Sequence, residues 1–357
     1  MILKRIVLRS FRNYQDLDIS FENGVTIING PNGVGKTNLV EAIYYLSLGR
    51  SWRNVEDETL VNEKDEEGIA SIEAFLQEGE ISRRIEISLG ESCKRVSLNG
   101  KQLPKLSDLS RLTNVLLFSP RDVSLFIDSP TERRRFLDIN ISKQSSDYLS
   151  LISDYNKLLK ERNAALKDPN RNLQLIEVIT RQMVEISEPL VRYRSMYVTE
   201  INRVLPKLLY DISGEEKPCK LVYRPFVRPD ETFLERAAKV YEEALQSDLQ
   251  RGFTNNGPHR EDIGFLLDGK DIADYGSQGE NRTAALSLKL APFFLVESDA
   301  KKPIVVLDDV TSELDEGRVQ RLFRLLKQMG QVFVTATKLE IEGVSYIDVA
   351  SNKAVRR

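Results

Sequence analysis

The stretch GPNGVGKT at residues 30–37 constrains the fold more strongly than any other part of the sequence. An apolar, β-branched run at residues 25–29 precedes it, and the residues after Lys36 carry apolar side chains at helical spacing as far as Gly49. This order predicts a buried strand, a glycine loop and a helix. The pattern G-x-x-x-x-G-K-[ST] in that setting is typical of a phosphate-binding loop.

The residue types in this loop predict a nucleoside triphosphate site with a magnesium ion. Backbone N–H groups at a helix N-terminus can surround a β-phosphate, Lys36 can neutralise phosphate charge, and the Thr37 hydroxyl can bind Mg²⁺. The predicted nucleotide contacts are Gly30, Pro31, Asn32, Gly33, Val34, Gly35, Lys36, Thr37 and Asn38.

A second run, KPIVVLDD, supplies carboxylates for the same site. Its apolar residues predict a buried strand that ends at Asp308, where the carboxylate can bind the Mg²⁺ shell beside the phosphate loop. Asp309 is predicted to face the attacking water. We therefore predict Lys36, Asp308 and Asp309 as catalytic residues, with Thr37 and Asp308 as metal ligands. The alternative is a strand that merely ends in acidic turn residues.

Composition limits the class of protein. A length of 357 residues exceeds what one hydrophobic core usually supports, which favours two domains. No apolar run approaches the ~20 residues of a membrane span, so we expect no membrane partner. Cys93 and Cys219 lie far apart and outside metal-ligand spacing, so neither a disulfide framework nor a zinc site is expected, and a reducing cytoplasm is favoured.

A net charge of −3 argues against a surface that is basic throughout, so any DNA contact must use a local patch. Basic clusters occur in LKRIVLRSFRNY, GRSWRN and SPTERRRFLD. Taken alone, each cluster is more often an ordinary solvated face, so a DNA-binding role needs support from outside the cluster. The residues that we predict to bind DNA are Arg9, Arg12, Arg50 and Arg53.

The rest of the chain divides into three patterns. Residues 69–103 alternate apolar and polar side chains around Asn99-Gly100, which predicts a small antiparallel sheet with a hairpin. From Tyr148 to Tyr197 a heptad-like seam is broken only by the turn KDPNRN, which predicts a short antiparallel helical hairpin, interrupted at Pro189 and closed near Pro206. Later strands alternate with helices, which predicts a mainly parallel sheet.

A second glycine loop, SQGEN at residues 277–281, opens a helix ahead of the Asp308 strand. It is similar to the signature LSGGQ of the ABC-type ATPases, and SELD at 312–315 lies where their D-loop lies. In that family the signature reaches the γ-phosphate held by a second subunit. The resemblance implies an ATP-dependent homodimer with contacts to ATP from Ser277, Gln278, Gly279 and Glu280. The alternative is a free-standing helix cap.

Taken from end to end, the chain resembles the bacterial SMC-like repair ATPases of this superfamily. The resemblance is carried by GPNGVGKTNLVEAIYYLSLGRSWR, FSPRDVSLFIDSPTERRRFLD, RGFTNNGPHRED, GSQGENRTAALSLKLA and VVLDDVTSELD. It implies an α/β fold: an ABC-type ATPase head, with a mixed sheet around the phosphate loop and an antiparallel β subdomain, and an inserted helical lobe with a short antiparallel coiled-coil arm. The head corresponds to residues 1–125 and 250–357, and the helical lobe to 126–249.

The same resemblance implies a function. It implies binding of double-stranded DNA beside single-stranded gaps, and work with RecR and RecO to help RecA displace single-strand-binding protein. ATP and Mg²⁺ are the implied cofactors, with weak, DNA-stimulated hydrolysis. The alternatives are the motor subunit of a membrane transporter, against which the helical hairpin stands, and a long SMC-type tether, which the short hairpin cannot span.

Three positions depart from the ABC-type pattern. Asp309 stands where many of these enzymes have a longer glutamate, which favours slow turnover. Thr335 and Thr337 stand where a switch histidine is common, and neither can act as a general base. The only histidine, His259, lies beside Gly257-Pro258 and is expected to be a structural turn residue, with a catalytic role and a nucleotide or DNA contact as the alternatives.

Overall fold

A computed structural model of the chain describes residues 1–91, 94–350 and 352–357, so the prediction for Cys93 lies outside the described residues. The strands are β1 Ile2–Phe11, β2 Tyr14–Ser20, β3 Gly24–Asn29, β4 Ile69–Glu78, β5 Ile81–Gly90, β6 Lys94–Leu98, β7 Lys101–Gln102, β8 Val115–Phe118, β9 Cys219–Arg224, β10 Asp262–Leu267, β11 Lys270–Asp271, β12 Ile304–Leu307, β13 Gln331–Ala336, β14 Ser345–Ala350 and β15 Lys353–Arg356. The α-helices are α1 Lys36–Leu48, α2 Leu109–Leu112, α3 Pro130–Gln144, α4 Ser146–Lys167, α5 Leu173–Ser213, α6 Phe233–Arg251, α7 Ile272–Tyr275, α8 Gln278–Phe294 and α9 Glu316–Leu326.

The chain forms two compact units. The first comprises Met1–Val123, Leu208–Glu215 and Leu286–Arg357, and the second comprises Ser124–Lys207 and Glu216–Ala285. The predicted head began again at residue 250, whereas the contacts assign residues 250–285 to the second unit. The reason is that β10 pairs with β9 and β11 in a three-stranded antiparallel sheet, and all three strands belong to that unit.

The first unit contains the mixed sheet that carries the phosphate loop. Its strand order is β15-β14-β3-β13-β12-β8, and every neighbouring pair is parallel except β14 with β15. Every residue of β12 and β13 is buried, which explains why β12 is a continuous apolar run and why β13 is mostly apolar rather than alternating. The predicted mixed sheet is confirmed, with the loop strand β3 at its centre.

A second, antiparallel sheet in the same unit has the order β2-β1-β4-β5-β6-β7. The predicted turn joins β6 to β7, and both of its residues, Asn99 and Gly100, have positive φ angles of 50° and 79°. Helix α1 packs in one hydrophobic core with both sheets, a core that includes Ile6, Ile28, Leu39, Ile43, Ile72 and Phe333. The antiparallel subdomain is therefore tied to the phosphate loop through the helix that follows the loop.

Helices α4 and α5 form the predicted antiparallel hairpin. Arg162 Nε of α4 donates to Thr180 Oγ1 of α5 at 2.8 Å, and Tyr148 at the other end of α4 accepts from Arg194 Nε at 3.0 Å. The interruption predicted at Pro189 and the end predicted near Pro206 were wrong, because α5 continues through both to Ser213.

Packing explains why α5 survives its two prolines. A proline inside a helix costs about 3 kcal/mol, whereas each fully buried Leu or Val side chain contributes roughly 1.5–3 kcal/mol. Leu190 and Val191 follow Pro189 with no exposed surface, and Leu205 beside Pro206 is also fully buried. In the described part of the chain, no helix combines the length and the apolar composition that a membrane crossing requires.

Buried polar networks hold the second unit together. Arg162 and Asp248, both fully buried, form an ion pair at 2.7 Å, and Arg194 bridges Asp138 and Glu261 at 2.8 and 2.7 Å. Removing one partner of such a pair leaves a buried charge without compensation, which typically costs 3–5 kcal/mol. The motif RGFTNNGPHRED supplies part of these networks and is therefore structural here.

His259 belongs to the same buried region. Its Nε2 lies 3.0 Å from the Thr254 carbonyl oxygen, to which it can only donate, so its Nδ1 accepts from the Tyr155 hydroxyl at 2.7 Å. Burial lowers the pKa of His259 from 6.5 to about 4, the nearby Arg260 and Arg134 lower it further, and the Thr254 hydrogen bond opposes the change. The ring is thus neutral and structural, as the Gly-Pro setting predicted.

Acid is expected to destabilise the fold through His259. Between pH 6.5 and about 4 the unfolded chain binds a proton that the folded chain does not, so the contribution of the neutral ring is complete above pH 6.5 and is lost as the pH falls toward 4. The loss reaches up to about 3 kcal/mol. Thermal unfolding midpoints measured from pH 7.5 to 4 should fall more steeply for the wild type than for His259→Gln. If the midpoints of the two proteins fall equally with pH, the result contradicts a neutral, buried His259 in the folded chain.

Candidate nucleotide-binding site

The phosphate loop runs from the end of β3 to the start of α1, and its backbone geometry requires glycine. Gly35 has a φ of 113°, and a Cβ atom there would lie 2.4 Å from Asn13 Nδ2. The same Asn13 amide donates to the Val34 carbonyl oxygen at 3.0 Å. A side chain at position 35 would therefore strain the backbone and displace the residue that fastens the loop to the turn between β1 and β2.

Lys36 lies at the mouth of this loop, with only 8% of its surface exposed. Its ammonium group donates to the carbonyl oxygens of Gly30 and Pro31 at 2.6 and 2.8 Å. Burial lowers the pKa of Lys36, while the charges of Asp309 and Asp308 raise it. The loop thus holds a cation next to the backbone N–H groups that would face a phosphate.

Asp308, Thr37 and Thr335 meet at the carboxyl edge of the mixed sheet. Thr37 Oγ1 donates to Asp308 Oδ1 at 3.1 Å, and Thr335 Oγ1 donates to the same oxygen at 2.7 Å. Burial raises the pKa of the Asp308 carboxyl, and the two hydroxyl hydrogen bonds lower it. The hydroxyl of Thr37 and the carboxylate of Asp308 are oxygen donors of the kind that Mg²⁺ takes together with phosphate oxygens and water, so this pair fits the predicted ion.

Asp309 differs from its neighbour in exposure and in backbone conformation. Its side chain is exposed and its φ is 51°, a left-handed conformation that costs a non-glycine residue about 1–3 kcal/mol. Its N–H donates to Thr335 Oγ1 at 2.9 Å, and its carbonyl oxygen accepts from Ser312 Oγ at 3.0 Å. These bonds hold the strained turn, so Asp308 faces the loop while Asp309 remains accessible to water.

Thr335 is a site residue that the sequence analysis considered only as a missing base. The parallel register pairs Leu307 with Val334, which places Thr335 beside Asp308 at the sheet edge. Its hydroxyl joins the Asp308 carboxylate to the Asp309 backbone. The signal in the sequence was a hydroxyl residue at the carboxyl end of a second buried strand.

Glu41 is a second residue that the sequence analysis missed. It is fully buried on α1, where its two carboxylate oxygens accept from Arg12 Nε and Nη2 at 3.0 Å each, and it also accepts from Ser51. Arg53 approaches the same carboxylate at 3.6 Å. A charged residue within the apolar run LVEAIYYL was the available signal.

This cluster separates the four arginines that were predicted to bind DNA. Arg12 and Arg53 come together at Glu41 and have a structural partner there. Arg9 and Arg50 are exposed. Their contact with DNA stays a prediction.

An open cavity of about 670 Å³ adjoins the first turn of α1. Asn38 of that turn donates to Asn13 Oδ1 at 2.8 Å, and Asn13 donates in turn to Asn352 Oδ1 at 2.6 Å. Amide and guanidinium groups dominate this part of the wall, which includes Arg12, Asn13, Asn38, Arg53, Asn62 and Asn352. Such a wall offers many donors and acceptors directly beside the phosphate loop.

The signature belongs to the second unit, whereas the phosphate loop belongs to the first. Ser277 caps α8, since its carbonyl oxygen accepts from Asn281 N at 2.9 Å. Ser277 and Gln278 are exposed, and Gly279 and Glu280 are half-buried. Within the second unit, the predicted signature is therefore a solvent-facing helix N-terminus, and its contact with ATP stays a prediction.

Comparison with known proteins agrees with these features. The family description RecF/RecN/SMC N terminal domain matches residues 2–348. The DNA replication and repair protein RecF of Halalkalibacterium halodurans is 36% identical over 95% of this chain and 94% of its own length. The RecF protein of Bacillus cereus is 35% identical over 99% of this chain and 96% of its own length.

Solved structures support the same assignment. A recombination mediator protein, RecF with ATPrS in the RecFOR pathway, superposes with a TM-score of 0.90 and 30% identity, covering 99% of this chain and 98% of that one. The Smc head domain of Pyrococcus furiosus reaches a TM-score of 0.60 at 17% identity, covering 99% of this chain and 96% of that one, and shows a shared fold alone. The chain is therefore a member of the RecF/RecN/SMC family and belongs, within it, to the RecF proteins.

Proposed function

We propose that this chain is an ATP-switched DNA-binding protein of recombinational repair and replication restart. The observation that carries the proposal is the pairing of two features in one chain: a phosphate loop backed by Asp308, and an exposed signature, Ser277–Glu280, in a different unit. Similar proteins are named for DNA replication and repair, and one solved relative is named with ATP in the RecFOR pathway. These names support ATP as the nucleotide.

The nucleotide chemistry follows from the residues at the loop. Lys36 neutralises the transferred phosphate, and Thr37 and Asp308 would hold Mg²⁺, which offsets charge on the β- and γ-phosphates. Asp309 orients the attacking water from an exposed position. Because an aspartate reaches less far than a glutamate, we expect weak hydrolysis. In this proposal DNA stimulates the hydrolysis, which acts as a release step rather than as a rapid cycle.

We place the nucleoside in the open cavity next to α1. Asn38, the residue after Thr37, lines the cavity, so the cavity adjoins the end of the phosphate loop. Asn13 fixes both the Val34 carbonyl oxygen and the Asn38 amide. Its position therefore links occupation of the cavity to the geometry of the loop.

In this proposal ATP joins two copies of the chain, each signature completing the γ-phosphate site of the other copy. The closed dimer holds double-stranded DNA beside single-stranded gaps and, with RecR and RecO, assists RecA in displacing single-strand-binding protein. Hydrolysis then opens the dimer. The protein would do this work in the bacterial cytoplasm.

Ser277→Arg is expected to block the ATP-dependent dimer while monomer ATP binding stays near normal. The phosphate loop is untouched, but a bulky cation replaces a small hydroxyl at a helix N-terminus, whose partial positive charge disfavours it. Sedimentation velocity with ATP measures the dimer fraction, and nucleotide titration measures monomer binding. A Ser277→Arg variant that dimerises and hydrolyses ATP like the wild type would contradict the composite site.

Mixing makes the same test sharper. A Lys36→Met chain lacks a working loop and a Ser277→Arg chain lacks a working signature, so a mixed dimer contains at most one intact composite site. We expect partial recovery of ATPase activity if one site suffices for closure. If both are needed, the mixture stays inactive and each variant inhibits added wild type. If the mixture shows no recovery of activity and the variants do not inhibit the wild type, the result contradicts a shared site.

The DNA patch is tested by salt dependence. Replacing Arg9, Arg12, Arg50 and Arg53 with alanine is expected to weaken binding to all duplex sequences and to lower the slope of log affinity against log salt by about one unit per lost phosphate contact. The Arg9/Arg50 double variant separates direct contact from the structural role of Arg12 and Arg53 at Glu41. Lys101 and Lys105 are exposed and provide a charge-matched control. If the salt dependence of DNA affinity is unchanged, these arginines do not contact phosphates and belong to an ordinary solvated face.

A further inference from the structure

The signature of this chain carries an acid where the ABC-type pattern LSGGQ ends in glutamine. That residue, Glu280, lies in the first turn of α8, three positions after the cap Ser277. Its carboxylate accepts from the Ser277 N–H and from the Ser277 hydroxyl, each at 2.9 Å. The Glu280 N–H lies 3.3 Å from Ser277 Oγ. Together they form a reciprocal capping box.

This capping box engages the groups that the proposed function assigns to a phosphate. A γ-phosphate from a second chain would need the Ser277 hydroxyl and the N–H groups at the start of α8. The Glu280 carboxylate already occupies two of these donors, and its negative charge repels an incoming phosphate at short range. An uncompensated glutamate at this position would therefore oppose dimer closure.

A cation from another segment compensates that charge. Lys217 lies between α5 and β9, and its ammonium group contacts the second Glu280 oxygen, Oε1, at 2.9 Å. One carboxylate oxygen thus faces the Ser277 donors, and the other faces Lys217. Hydrogen bonds from the Ser277 backbone, then from Lys217 and the Ser277 hydroxyl, lower the pKa of Glu280 to about 2, so the pair stays ionised near neutral pH.

We propose that Glu280 is a resident anion that occupies the phosphate donors of the signature in the monomer. We further propose that Lys217 is the positioning residue that retains this carboxylate when a γ-phosphate takes those donors. This inference rests on the proposed composite site. The exchange needs no proton transfer: the Ser277 donors turn from carboxylate to phosphate, and the Lys217 ion pair keeps Glu280 from competing.

The geometry distinguishes this role from a stabilising one. The side chains of Lys217 and Glu280 are 32% and 30% exposed, and ion pairs of that exposure contribute little to folding stability. Loss of the pair should therefore leave the fold intact. Its effect should appear in the ATP concentration that dimerisation requires.

Sedimentation velocity with Mg²⁺ and the slowly hydrolysed analogue ATPγS tests the proposal on the full-length chain. Glu280→Gln keeps an acceptor for the Ser277 N–H but removes the charge, so the analogue concentration for half-maximal dimerisation should fall by about threefold to tenfold. Lys217→Met leaves the carboxylate uncompensated and should raise that concentration by a similar factor. Lys217→Arg should restore wild-type behaviour.

The double variant, Lys217→Met with Glu280→Gln, tests whether Lys217 acts through Glu280 or independently of it. If Lys217 acts only through Glu280, then Lys217→Met should have no further effect in the Glu280→Gln background. Two nearby exposed residues supply charge-matched controls, Lys220→Met for the lysine and Asp274→Asn for the glutamate, and neither should change the midpoint. Analogue binding by the monomer is measured in parallel to normalise each midpoint.

Two results would overturn the proposal. One is a Glu280→Gln midpoint equal to that of the wild type. The other is a Lys217→Met effect of the same size with and without Glu280. If the composite site itself does not exist, Ser277→Arg will dimerise normally. If Ser277→Arg fails to dimerise but the Glu280 variants have wild-type midpoints, only the present inference is contradicted.

Discussion

The parallel register of β3, β13 and β12 is the constraint on which the nucleotide site depends. These strands run side by side, so their carboxyl ends bring the phosphate loop, Thr335 and Asp308 to one edge of the sheet. The two threonine hydroxyls then converge on a single carboxylate oxygen. A slip of one residue in β12 would turn Asp308 away from Thr37, because neighbouring residues of a strand face opposite sides of the sheet.

Buried charge fixes the surroundings of that edge. Glu41 is fully buried on the helix that begins at the loop, and it ties Arg12 of the first hairpin and Arg53 of the following turn to α1. Leaving such a carboxylate without its partners would cost several kcal/mol, so the segments around the open cavity next to α1 are held together by electrostatics as well as by apolar packing. The second unit uses the same device at Arg162 and Arg194.

The sequence was informative where local chemistry decides structure. The glycine loop, the Asn99-Gly100 turn and the buried strand before Asp308 each follow from residues within one short window, and all three are present. It was less informative where distant partners decide. The continuation of α5 through Pro189 depends on packing, and the membership of residues 250–285 depends on pairing with β9.

The site shows the same division. Lys36, Thr37 and Asp308 were predicted from motif and order, and the structure brings them together. Glu41 and Lys217 were not predicted, because no local pattern joins Glu41 to Arg12, 29 residues away, or Lys217 to Glu280, 63 residues away. Arg12 and Arg53 look like free surface cations in the sequence, and only the buried Glu41 shows that they have a structural partner.

In the proposed function, one chain holds only part of the catalytic site. Its most direct test is the specific ATPase rate of the wild-type chain, measured per chain across protein concentrations that span the monomer and the dimer, at saturating Mg²⁺ and ATP. A composite site predicts a rate per chain that rises with concentration and reaches a plateau as dimers form. A rate per chain that stays constant down to concentrations at which sedimentation shows only monomer would contradict the account.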